Sequence, residues 1–212
     1  MATVAEKRPR AVPEPEREPQ PVLAVPPDVR LIVGPDDFAK LCAANRDMRL
    51  ELEADGGLIV MSPASSDGGG RELELGSQLN VWNKTARLGK AFGPSSGFTF
   101  PDGSVRAPDA SWIRNEVWAA VDRRERRKFA RVVLDFAAEV RSPSNTLAEL
   151  RAKMASYVAN GVRLAWLIDP ETRTVEVYRP GRDVERMASP KTLSGEDVLP
   201  GFTLDLAEIF ED

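Results

Sequence analysis

The chain contains no histidine and a single cysteine, Cys42. These absences remove whole classes of chemistry. Ser-His-Asp and Cys-His nucleophile systems are excluded, and so are zinc sites built on histidine or on a cysteine cluster. An intrachain disulfide is excluded too, and the expected address is cytoplasmic. No apolar run approaches the roughly 18–20 residues that a membrane span needs, and no secretory-type apolar segment stands near the N-terminus. Basic charge is not in excess either. With 29 Lys and Arg against 33 Asp and Glu, the net charge is −4. This weighs mildly against a nucleic-acid binder, although a local basic patch can act alone. Catalysis must then run on Asp, Glu, Lys, Arg, Tyr, Ser or Thr. If a metal takes part, hard oxygen ligands favour Mg2+ or Mn2+.

What is present suits one domain with a sizeable core: 212 residues, 42% hydrophobic and 29% charged. Residues 1–28 are rich in Pro, Glu and Arg, as in "EKRPRAVPEPEREPQP". Such a segment cannot bury enough apolar surface to offset its ordering entropy. It is expected to be a disordered tail, or else a docking ligand for a Pro-recognising partner. Residues 29–212 are expected to form a single domain.

"GPDDFAKLCAAN" reads as a short helix, and "RLELEADGGLIVMSP" as an N-terminal β-hairpin turning at Asp55-Gly56-Gly57. After "DGGG" comes a longer helix, whose buried face Leu73, Leu75, Leu79, Val81 and Trp82 can supply. Short strands lead to "RAPDASWI", and "VVLDFAAEV" and "RLAWLIDP" read as interior strands. The helix between them is capped by Asn145 or Thr146 and stopped by Gly161. "RTVEVYRPG" alternates as a half-buried strand, and "DLAEIFED" closes the chain as a short helix. The layout is α/β with a mixed sheet flanked by helices.

One carboxylate stands out. Glu139 lies in "FAAEV", with Arg141 two residues on and therefore on the same strand face. By itself this reads as an ion pair at a strand end, because an unpaired buried carboxylate is costly. A second carboxylate, Asp109, follows Pro108 inside a run of buried-strand composition. Pro-Asp recurs at Pro27-Asp28, Pro35-Asp36 and Pro101-Asp102, but in tail, helix-start or turn contexts. Lys153 is the third group. It lies four residues after Glu149, the spacing of a solvated ion pair, yet it also borders the apolar stripe of Leu150, Met154 and Val158 beside Tyr157. Together these match a metal-dependent phosphodiesterase. Asp109, Glu139 and a backbone carbonyl, that of Val140, would hold Mg2+, and a lysine would assist the attacking water. Glu74 and Gln78, one helical turn apart, either add to the site or form a wet helix face. "RRERRK" can follow a nucleic-acid backbone or be a solvated segment. Trp112 and Trp166 read as core.

The segments "RAPDASWI", "AAEVRSPSNTLAELRAKMASYVANGVRLAWLIDP" and "TVEVYRPG…LSGEDVLPGF" resemble the Uma-two-type restriction endonuclease family of the PD-(D/E)XK nuclease superfamily. The resemblance covers nearly all of residues 31–212. It implies a restriction-endonuclease-like fold and metal-dependent nuclease chemistry; the expected substrate is DNA, and a homodimer would let two sites cut two strands. It matches Asp109 to the superfamily's aspartate, Glu139 to its second acid and Glu74 to its helix-borne glutamate. Arg141 occupies the place of the usual lysine, and arginine is a poor proton acceptor. Lys153, on the following helix, fits the slot expected in this family. A nuclease fold that binds nucleic acid or a protein partner without cutting is the competing expectation.

Overall fold

Phe136, Ala138 and Val140 alternate with Ala137 and Glu139, and all five are buried. A strand buried on both faces must be interior, with a layer packed on each side. In the computed structural model, which describes residues 25, 26 and 29–211, that is the arrangement found. The expected tail over residues 1–28 lies, except for Val25 and Pro26, outside the described residues. The chain divides into two units, residues 1–30 and 31–212, and the elements below belong to the second.

In chain order the elements begin with α1 (Pro35–Ala44), β1 (Arg49–Leu52), β2 (Leu58–Met61) and α2 (Ser66–Ala86). There follow β3 (Gly89–Phe92), β4 (Phe98–Thr99), β5 (Val105–Arg106), β6 (Ala110–Arg114), α3 (Asn115–Ala120) and β7 (Ala130–Arg131). The chain continues with β8 (Phe136–Val140), α4 (Leu147–Ala159), β9 (Leu164–Asp169) and β10 (Thr174–Tyr178). It closes with β11 (Glu185–Ala188), β12 (Thr192–Ser194) and β13 (Thr203–Asp205). The central sheet has the order β11-β10-β9-β8-β6-β3. Within this sheet β8 and β9 pair in parallel, with α4 as their crossover, and the other neighbours pair antiparallel, so the sheet is mixed as expected. A second sheet, β2-β1-β5-β4-β7, contains the expected N-terminal hairpin.

The two faces of β8 are covered differently. Phe136, Ala138 and Val140 pack with Leu75 and Leu79 of α2 and with the C-terminal Phe202, Leu204 and Ile209. Ala137 packs with Leu150, Met154 and Tyr157 of α4. Helix α4 starts on a capping box: Thr146 accepts from the Glu149 N–H, and Glu149 accepts from the Thr146 N–H. It ends before Gly161, at φ +98°.

Three local expectations are corrected. Helix α2 begins at Ser66, ahead of the glycines, because the Ser65 side chain caps it by accepting from the Gly68 N–H. Its buried stripe is Leu75, Leu79 and partly Trp82, at i, i+4 and i+7. Leu73 and Val81 fall off that stripe and are 70% and 65% exposed. The C-terminal segment forms no continued helix. A single turn closes with the Phe210 N–H on the Leu206 carbonyl, too short to propagate. Among the described residues, no helix is long and apolar enough to cross a membrane.

Candidate active site

Asp109 and Glu139 are brought together by strand register. β6 pairs antiparallel with β8, with Ala110 opposite Ala138. Extending that register by one residue sets Asp109 opposite Glu139. The Val140 N–H then donates to Asp109 Oδ2 at 2.9 Å. Both carboxylates are buried, Glu139 to 4% exposure.

The cation at Glu139 comes from α4. Lys153 Nζ lies 2.8 Å from Glu139 Oε1 and is held on its other side by Glu51 Oε1 at 3.0 Å. The Lys153 side chain is only 13% exposed. Tyr157, one turn along the same helix, donates its hydroxyl to the same Glu139 oxygen at 2.6 Å. Lys153 and Tyr157 thus act from one stripe of α4, beside the apolar Leu150 and Met154. Glu149, four residues before Lys153, is engaged in the helix cap instead.

Four groups in the cluster were not singled out in the sequence: Glu51, Arg106, Arg49 and Glu72. Glu51, on β1, also accepts from Arg106 at 3.2 Å and from the Ala107 N–H at 2.9 Å. Arg49, two residues earlier on β1, spans Asp109 at 3.4 Å and Glu72 at 3.5 Å. Glu72 lies on α2. The local signal for Glu51 is its place between Leu50 and Leu52 in the hairpin. Alternation alone gives such a residue a solvated face, and only the packing of the sheets buries it.

The electrostatics follow from this crowding. Burial, with the charges of Asp109 and Glu51, pushes Glu139 up to about 7 despite the Lys153 ammonium. Burial and the Glu72 charge raise Asp109, against the Val140 N–H, Lys153 and Arg49. For Glu51, burial is overcome by the Lys153 and Arg106 charges, which hold its carboxyl below the usual range. For Lys153, burial is overcome by Glu139 and Glu51, which hold the ammonium above its ordinary value.

Other candidates are placed elsewhere. Arg141 pairs with Asp169 at 2.8 Å and Glu171 at 3.4 Å, at the end of β9. Glu74 lies two residues, about 200° of helical turn, from Glu72. There it accepts from Gln78, whose amide bonds the backbone of Asp205 in both directions. In the basic run, Arg126 donates to the carbonyls of Trp118 and Val121 and lies over the Trp118 ring. Arg123, Arg124, Arg127 and Lys128 are exposed. Trp112 and Trp166 are core residues, as read from the sequence.

The donor set suits a hard divalent cation. The Asp109 charge raises the proton affinity of Glu139, and the Glu72 charge that of Asp109, crowding that a cation beside these carboxylates would relieve. Among the described residues, no three acidic or cysteine side chains form a ready-made metal cage. Further ligands would have to come from backbone carbonyls and water.

The molecule resembles a solved structure over most of its length. It superposes on a putative nuclease belonging to DUF820 from Anabaena variabilis ATCC 29413 with a TM-score of 0.70. The match has 22% identity and covers 84% of this chain and 97% of that one. A DrdV–DNA complex matches at 14% identity and a TM-score of 0.36, over 57% of this chain and 11% of that one. So partial a likeness carries no argument. No curated protein matches significantly. The model of the Uma2 family, described as "Putative restriction endonuclease", matches residues 35–207. With that match spanning the central sheet, both flanking helices and the charged cluster, the chain belongs to the Uma2 family.

Proposed function

We propose that the protein is a metal-dependent endonuclease that hydrolyses phosphodiester bonds in DNA. The observation that carries this reading is the buried opposition of Asp109 and Glu139, with Lys153 2.8 Å from Glu139. A fold has no need of such charge in its interior, and burying it is costly. Asp109, Glu139 and the Val140 carbonyl would hold Mg2+ or Mn2+. A cation there would polarise the scissile phosphate and acidify a bound water.

The chain's own residues have separable parts. Tyr157 orients Glu139 through its short hydrogen bond. Lys153, between two carboxylates, stays an ammonium group. Its work is therefore to stabilise the charge growing on the phosphoryl oxygens rather than to take the water's proton. Arg141, Glu74 and Gln78 support neighbouring structure from outside the cluster. The exposed cations of residues 123–128 offer contacts to a phosphate backbone. Two copies would place two sites on two strands. The single cysteine fits a cytoplasmic address.

The test is calorimetric titration of Mn2+ into wild type and Glu139→Ala, with plasmid nicking on the same samples. The expected result is binding and nicking in the wild type and neither in a folded variant. Wild-type protein that binds no metal, or a variant that nicks equally well, would sink the reading.

A further inference from the structure

We infer that Glu51, from the N-terminal hairpin and outside the central sheet, is a positioning residue that fixes the ammonium group of Lys153 for the reaction. The inference rests on the proposed nuclease reading and adds to it a part for β1. A lysine stem has four rotatable bonds, and one acceptor leaves its end free to swing. Here the end is fixed from two sides, by Glu139 at 2.8 Å and Glu51 at 3.0 Å.

The second acceptor is itself immobile. Glu51 is 1% exposed. A backbone N–H, that of Ala107, holds the same oxygen that faces Lys153, and Arg106 holds the other. Arg106 lies on β5, which pairs with β1 through Leu52 and Val105. The hairpin, its neighbouring strand and α4 therefore converge on one nitrogen atom. An apolar residue at position 51 would close the hairpin at a smaller desolvation penalty. The carboxylate is explained by what it holds.

The experiment uses full-length protein with Glu51→Gln and Glu51→Asp. The first removes the charge. The second keeps it, so Arg106 retains a counter-ion and folding is protected, but its reach is one methylene shorter. Metal-free samples are treated with N-hydroxysuccinimide acetate at one fixed pH, and acetylation of Lys153 is followed by peptide mass spectrometry against exposed Lys90. Gripped on both sides, Lys153 should be shielded in the wild type and acetylated about tenfold faster or more in each folded variant. With Mn2+, plasmid nicking should lose about 10–100-fold in kcat, while Mn2+ affinity and KM stay within about threefold. Wild-type acetylation of Lys153 in a folded variant, or wild-type kcat, overturns the inference. Should wild-type protein fail to nick any DNA, the nuclease reading fails, and the acetylation result alone decides whether Glu51 holds Lys153.

Discussion

The two faces of β8 differ by one residue in register and by almost everything in chemistry. On one face Phe136, Ala138 and Val140 meet apolar side chains of α2 and the C-terminal segment. On the other, Ala137 continues the core under α4, but Glu139 joins a charged cluster with Asp109, Lys153, Tyr157 and Glu51. Both faces are largely buried. The first converts that burial into stability. The second uses it to strengthen the interactions among fixed charges, at a cost in stability. One five-residue strand thus serves the fold with one parity and the site with the other.

Substitutions on the two parities should therefore fail differently, and this is the largest expected effect. Asp109→Ala and Glu139→Ala should lower nicking by at least about 10²–10³-fold while the protein stays folded. Phe136→Ala should cost about 3–5 kcal/mol of stability, with metal affinity per folded molecule preserved. Denaturant unfolding and Mn2+ titration on the same samples check both. Loss of metal binding in a folded Phe136→Ala protein would erase the distinction between the faces.

The stability cost of the charged face has a sign that pH exposes. Glu139 is raised from an ordinary 4.5 to about 7 in the folded protein. Below 4.5 both folded and unfolded states carry its proton, so the residue costs nothing. Between 4.5 and about 7 the folded state keeps a proton that the unfolded state has lost, so stability falls as pH rises. Above about 7 the full cost is present, up to about 3 kcal/mol. Metal-free Glu139→Gln should accordingly be more stable than wild type at pH 8 and nearly equal to it at pH 4.5. Urea unfolding in chelator across that range is the measurement, and a gap that does not widen with pH breaks the argument.

A smaller effect separates Arg49 from the rest of the cluster. Its guanidinium stands 3.4 Å from Asp109, where a metal would bring competing charge. Its side chain is 28% exposed, so solvent screens the pair. Arg49→Met should tighten Mn2+ binding by a few-fold, less than about tenfold. Weaker binding in the calorimeter would assign Arg49 to ordering Asp109 instead.

Much of this was legible in the sequence because it is local. Strand parity placed Glu139 apart from Phe136 and Ala138, and the edge of a helical stripe pointed to Lys153 and Tyr157. The turn at Asp55-Gly56 and the Thr146 cap were readable for the same reason. What escaped depends on contacts across long separations. Glu51 reaches Lys153 of α4 from the second sheet, 102 residues away, and no periodicity in "RLELEADGG" distinguishes a solvated parity from one covered by the rest of the fold. The partner of Arg141 escaped similarly. Parity placed it near Glu139, but Asp169, brought alongside by the parallel β8–β9 register, holds it instead.

Helix α2 offers the smallest test, because it carries the same comparison in miniature. Glu72 and Glu74 are both half-buried glutamates of one helix. Glu72 faces Arg49 and adds negative charge at Asp109. Glu74 is bound to Gln78, which fastens α2 to β13 through Asp205. Glu74→Ala should leave Mn2+ affinity and nicking within about twofold, and should cost only about 0.5–1 kcal/mol through the lost hydrogen bond. Glu72→Ala should leave stability similar but change metal affinity measurably, because it alters the charge around Asp109. If the two variants exchanged these behaviours, the glutamate that serves the site would be Glu74, and the helical face turned toward Arg49 would be structural.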